Sequence, residues 1–105
     1  MVDAAPVPCS VASADSRDGL ATVPTTLTVA GAVSEVSISN VGGFELAWDG
    51  RSDCAVDMPV SSYSANITPE EGRRIRRKSF EVTAGSACAF TFDLAAKEWT
   101  GGCTE

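Results

Sequence analysis

The densest chemistry in this chain is a basic run, Arg73-Arg74-Ile75-Arg76-Arg77-Lys78. It holds five of the eight basic residues, while the rest of the chain sets 14 acids against three bases. Clustered guanidinium and ammonium groups suit an anionic partner: a sulfated glycan, a lipid headgroup or an acidic protein patch. The run also fits a dibasic processing site. Arg76-Arg77-Lys78-Ser79 has the form of a basophilic kinase substrate, a use that an oxidising compartment disfavours. The reading that needs no partner is a solvent-facing edge strand whose charges discourage aggregation, with Ile75, Phe80 and Val82 packing inward. A net charge of −6 argues against general nucleic-acid binding, which needs a basic footprint to displace counterions from phosphates.

Asp49, Asp53 and Asp57 recur every fourth residue and are the candidate acid–base or calcium-binding groups. One unbroken strand would put them on one side of the pleat. Asp49-Gly50 is a turn signal that breaks it, and no complete calcium loop is present. The preferred reading is solvated turn and edge residues, with no metal and no cofactor expected. The chain has no His, so no Ser/His or Cys/His nucleophilic system can be assembled. It also lacks G-x-S-x-G, a phosphate-cradling Gly loop and a dinucleotide fingerprint.

Four cysteines stand at Cys9, Cys54, Cys88 and Cys103, with no C-x-x-C pair among them. Even number, wide spacing and small size point to a disulfide framework in an oxidising compartment rather than to zinc or a redox motif. The alternative is a cytosolic protein with four free thiols. Met1-Val2-Asp3-Ala4-Ala5 lacks a basic start and an apolar run, so we expect the mature form of an exported protein. The longest apolar stretch, Val29 to Val33, is too short to span a bilayer. Asn66-Ile67-Thr68 is a glycosylation sequon, weakened by Pro69. Among the aromatics, Trp48 and Trp99 lie near turns or chain ends and are the candidates for a part-exposed contact surface.

The elements that must carry these residues read as β throughout. Val, Ile and Thr number 23 against four Leu, a composition that suits pleated surfaces better than helices. Residues 1–24 look largely irregular, with one possible edge strand from Val7 to Val11. After Pro24 the period is two: Leu27 and Val29, then Val36 and Ile38, then Phe44, Leu46 and Trp48. Cys54, Val56, Met58 and Val60 continue it, followed by Tyr63, Ala65 and Ile67, and by Phe80 and Val82. Asn40-Val41-Gly42-Gly43 is a turn signal, and Thr68-Pro69-Glu70-Glu71 predicts one short helical turn.

The last two strands carry their own register. A fold-back between Ala95 and Ala96 sets Leu94 against Lys97, Phe92 against Trp99 and Cys88 against Cys103, all on one face. Ala-Ala is a poor two-residue turn, so a wider loop is allowed for. This pairing assigns Cys88–Cys103 and leaves Cys9–Cys54. In the chain-entropy model these closures are worth about 3 and about 4 kcal/mol, comparable to the stability of a whole small domain.

The sum is a single all-β domain over 1–105: an antiparallel sandwich of about seven strands, immunoglobulin-like in general architecture only, because the Cys…Trp…Cys spacing is missing. A closed barrel is the rival. The functional expectation is a secreted, non-catalytic binding module that meets an extracellular protein, an anionic glycan or a membrane surface. Its candidate contacts are Arg73, Arg74, Arg76, Arg77, Lys78, Trp48 and Trp99. One alternative is a secreted inhibitor or effector of a foreign hydrolase, presenting Asp49–Val60 as a protruding loop. A small carboxylate-based hydrolase ranks last.

Overall fold

The computed structural model describes residues 7–17, 19–50 and 53–104. Ten strands lie in them: β1 (Val7–Pro8), β2 (Ser10–Ser13), β3 (Thr22–Ala30), β4 (Val33–Asn40) and β5 (Glu45–Trp48), then β6 (Cys54–Pro59), β7 (Ser61–Pro69), β8 (Ile75–Val82), β9 (Ala87–Asp93) and β10 (Glu98–Thr104). They form two packed sheets, in the orders β1-β6-β3-β9-β10 and β2-β5-β4-β7-β8. The sandwich is therefore as the period-two pattern predicts. Alternate residues of both sheets fill one core, with Val23, Leu27, Met58 and Phe92 facing Val36, Ile38, Leu46 and Ile67, all essentially inaccessible. Each such side chain contributes about 1.5–3 kcal/mol by leaving water.

Two expectations are corrected. The first sheet is mixed, because β1 runs parallel to β6 and β3 parallel to β9. A parallel pair needs a long crossover, and the excursion of β4 and β5 through the second sheet, with β7 and β8, supplies one between β3 and β9. The helical turn at 68–71 is absent. Thr68 and Pro69 continue β7 opposite Glu35 and Val33, and the Glu70 amide donates to the Ala32 carbonyl at 3.1 Å. Cross-strand partners thus take the groups that a helical turn needs for itself.

Both disulfides are those expected, Cys9–Cys54 and Cys88–Cys103. Cys9 sits where the N-terminal arm leaves the first sheet as β1 and enters the second as β2. The arm thereby covers one side of the sandwich, and the bond to Cys54, a neighbour of Leu27 in the sheet, holds the crossing in place. A second crossing, from β6 to β7, passes through Val60 alone and is fixed by the Tyr63 hydroxyl, which donates to the Pro59 carbonyl. This is the bond type that fixes corners between sheets in Greek-key sandwiches. Burial of the phenol pushes its pKa up to about 12.

A third tie lies beyond β2. The Asp15 carboxylate, 4% exposed, accepts from the Arg17 amide, Nε and Nη2 at 2.9, 3.0 and 2.7 Å, and from Asn40 Nδ2 at 2.9 Å. Asn40 Oδ1 in turn accepts the Gly42 and Phe44 amides, so one carboxylate locks the arm to the β4–β5 turn. Gly42 leaves room for this network, because a Cβ there would displace the Asp15 carboxylate and the Arg17 guanidinium. The Arg17 side-chain hydrogen bonds hold the Asp15 carboxyl well below its ordinary value of 3.8.

A depressed carboxylate stabilises the fold above its unfolded pKa and loses that contribution as the pH falls through the folded one. Asp15→Asn is thus expected to lower the urea midpoint at pH 7. The gap to the parent should close as the pH falls below about 4. A gap of constant size down to pH 2 would show that the charge of Asp15 is not what ties the arm down.

Candidate functional site

The arm covers the side of the sandwich where β1 and β2 end the two sheets; the opposite side is bounded by β8 and β10, the outer strands there. An aromatic row crosses between them. Phe80 of β8 lies 4.7 Å from Phe90 and 4.8 Å from Trp99 by ring centroid, and Trp99 meets Phe92 edge-on at 5.3 Å. The Thr83 amide points to Cys103 Sγ at 3.5 Å. The two edges therefore form a seam floored by Phe80 and Trp99, with the Cys88–Cys103 bond at one end joining β10 to β9 within the first sheet. At its other end is a cleft of about 330 Å³, bordered by Pro69, Glu71, Arg73, Ile75, Leu94 and Lys97.

The basic run occupies the β8 side of this seam. Arg73 and Arg74 are exposed in the loop before β8, and Arg76 and Arg77 are exposed on the strand. The β7–β8 register slips between Ala65–Lys78 and Ile67–Ile75, so two residues, Arg76 and Arg77, oppose Asn66 alone. Arg77 takes a left-handed backbone with φ 59°, and its amide donates to Asn66 Oδ1 at 3.3 Å. This bulge turns both arginines outward. Lys78, opposite the fully buried Ala65, is half-buried on the inward side of the strand.

Lys97 completes the cluster from the β10 side. Asp93 Oδ1 accepts the Ala95 and Ala96 amides at 3.0 and 3.2 Å, and the Asp93 carbonyl accepts the Lys97 amide at 2.7 Å. The connection is thus a four-residue loop over 94–97, wider than Ala-Ala, and it closes with Lys97 at φ 58°. Sequence reasoning missed Lys97. The available signal was the pair Asp93 and Ala-Ala, a capping carboxylate before a loop that must end in a left-handed residue.

Local costs collect here. Arg77 and Lys97 are the only non-glycine residues of the described chain with positive φ, and each incurs about 1 kcal/mol that glycine would not. The Trp99 indole N–H is buried with no hydrogen-bond partner, another roughly 1–3 kcal/mol. Among the described residues, the side chains of Arg73, Arg74, Arg76, Arg77, Lys78 and Lys97 form no ion pair. Six uncompensated cations thus stand at one end of an acidic chain.

The other candidates are not gathered there. Trp48 is in the core, paired with Val36 on β4. Asn66 is half-buried within β7, its amide oxygen engaged by Arg77. Asp57 faces solvent on β6 opposite Pro24, Asp53 precedes that strand, and Asp49 follows β5. Among the described residues no three acids or cysteines assemble into a metal site. Residues 54–59 form a strand between β1 and β3, so Asp49–Val60 is not the protruding loop an inhibitor was expected to show.

No protein-family model, curated protein or solved structure matches this chain. The seam offers exposed cations, an aromatic floor and a small cleft bordered by both charges.

Glycine at either strained position separates stability from recognition. Arg77→Gly and Lys97→Gly are each expected to raise stability by about 0.5–1 kcal/mol in urea unfolding. Destabilisation by either one would mean that the left-handed backbone there is not strained.

Proposed function

We propose that this chain is a secreted, non-catalytic binding module that engages an anionic extracellular partner through the cationic end of the β8–β10 seam. The observation that carries the reading is the pairing of strain with charge. Both left-handed non-glycine residues are cations, and both flank one seam. A fold optimised for stability alone would place glycine or asparagine at those positions. Strained residues collect where a side chain is needed more than the local energy it costs.

Secretion rests on coarser facts. Among its described residues the chain forms two disulfides, has no free cysteine, and has no helix long and apolar enough to cross a membrane. Disulfides of this kind persist in oxidising compartments. An immunoglobulin-like use of the scaffold, in which a rigid sandwich presents one end to a partner, agrees with the seam's position at loops 70–74 and 94–97.

The reading predicts steep salt dependence. The chain should be retained on immobilised polyglutamate or sulfated dextran at about 0.01 M salt. Retention should fall at least tenfold at about 0.15 M, as the Debye length shrinks from about 30 to about 8 Å. Arg76→Glu combined with Arg77→Glu should lose most of the low-salt binding while its urea midpoint stays near that of the parent. Equal retention of parent and variant on both surfaces would refute a cationic recognition site.

A further inference from the structure

Strand edges are where a sandwich is open to another chain, and the two edges of this seam are treated differently. The β8 edge carries three common safeguards: a bulge, exposed Arg76 and Arg77, and the inward-lying charge of Lys78. The β10 edge carries none between Glu98 and Thr104. Its sequence there is Trp-Thr-Gly-Gly-Cys, without charge or proline, and its pairing with β9 shows no register shift. Gly101 cannot be replaced by a bulkier residue, because at φ 110° a Cβ would run into the Ala89 carbonyl. The barest point of the edge is therefore fixed by the backbone.

The direction of the free backbone groups follows from the register. The Cα atoms of Cys88 and Cys103 are 3.9 Å apart, the close spacing of an antiparallel pair that exchanges no hydrogen bonds. The alternation then makes Phe90–Gly101 and Phe92–Trp99 pairs of the same kind. The carbonyl of Thr104, one residue on, indeed turns toward β9 and accepts the Ser86 amide at 2.7 Å. Trp99, Gly101 and Cys103 thus point their N–H and C=O groups away from β9, along an edge that no other strand of the described residues covers.

We infer that this edge receives an extended acidic polypeptide segment, which adds to β10 as a further strand of the first sheet. The inference rests on the anionic-partner reading and specifies its partner. Backbone pairing to Trp99, Gly101 and Cys103 supplies the affinity common to any strand. Specificity comes from one end of the edge. Toward Cys103 the inward side chains of the added strand lie over Phe80 and Thr83, the β8 residues that meet Trp99 and Cys103, while toward Glu98 the strand approaches the cationic end of the seam at Lys97 and Arg73, where its carboxylates find their complement. About five to seven residues suffice, the usual length of a strand. A second copy of this chain matches less well. Pairing through its own β10, it brings one described carboxylate, Glu98, to a seam with six uncompensated cations.

The test uses the oxidised, isotope-labelled protein and an octapeptide of alternating Glu and Thr, (Glu-Thr)4. Controls are (Lys-Thr)4, a (Glu-Thr)4 methylated on alternate backbone nitrogens, a sulfated oligosaccharide and phosphatidylserine vesicles. The expected result is binding of (Glu-Thr)4 with slowed amide exchange at Trp99, Gly101 and Cys103. (Lys-Thr)4 should not bind, and backbone methylation should weaken binding at least tenfold. Equal binding of the methylated peptide would overturn strand addition and leave the anionic reading standing. So would tighter binding of the oligosaccharide or vesicles without protection of those three amides. Protection that appears with rising protein concentration and no peptide would replace the acidic partner with a second copy. Failure of every anionic probe, with charge reversal at Arg76 and Arg77 silent, would remove both readings.

Discussion

Two sheets laid face to face leave open edges on both sides, and everything particular about this protein follows from how differently the two sides are treated. On one side a single arm passes from the first sheet to the second, and the Cys9–Cys54 bond fixes it where it crosses. Asp15 then ties the end of that arm to the β4–β5 turn through Arg17 and Asn40. On the other side the chain crosses only at residues 83–86, from β8 to β9, and leaves β10 outermost in its sheet. Phe80, Phe90 and Trp99 hold β8 against β10 by packing, and Cys88–Cys103 staples β10 to its neighbour within its own sheet. A domain of this size has little stability to spare, so covalent closure of one side permits strain to be tolerated on the other.

That division explains where the costs sit. A left-handed Arg77, a left-handed Lys97 and an indole N–H without an acceptor all lie on the uncovered side. Among the described residues the core has no such defect: the buried Thr25 hydroxyl donates to the Val23 carbonyl at 2.9 Å, and that of Tyr63 to the Pro59 carbonyl. Charge follows the same division. The acidic majority of the chain is spread over its surface, while the cations gather beside the seam, so an approaching anion meets a field opposite in sign to the molecule's average.

The amino-acid sequence carries this fold unevenly. The β9–β10 register was legible residue by residue, because disulfide geometry, an aromatic pair and pleat parity all demanded the same alignment of Cys88 with Cys103 and Phe92 with Trp99. Core faces such as Leu46 with Trp48, or Tyr63 with Ile67, were legible from the period of two. Trp48 was misjudged as a surface candidate because nearness to a turn says nothing about which way a ring points. The helical turn at Thr68 failed because a cap and a proline are local signals, overruled by pairing with β4. Parallel pairing of β3 with β9 leaves no local trace at all. The basic run was legible as a cluster, but the bulge that aims Arg76 and Arg77 outward, and the meeting of Arg73 with Lys97 around one cleft, arise only from tertiary structure.

The central claim is that β10 is an uncovered edge with every second backbone group unsatisfied. Amide exchange of the free, oxidised protein at low concentration tests it most directly. Trp99, Gly101 and Cys103 should exchange rapidly, while Thr100 and Gly102 between them, and Thr104 beyond, are protected by β9. Uniform protection along the strand would mean that this edge is already occupied, and the account of an open side would be wrong.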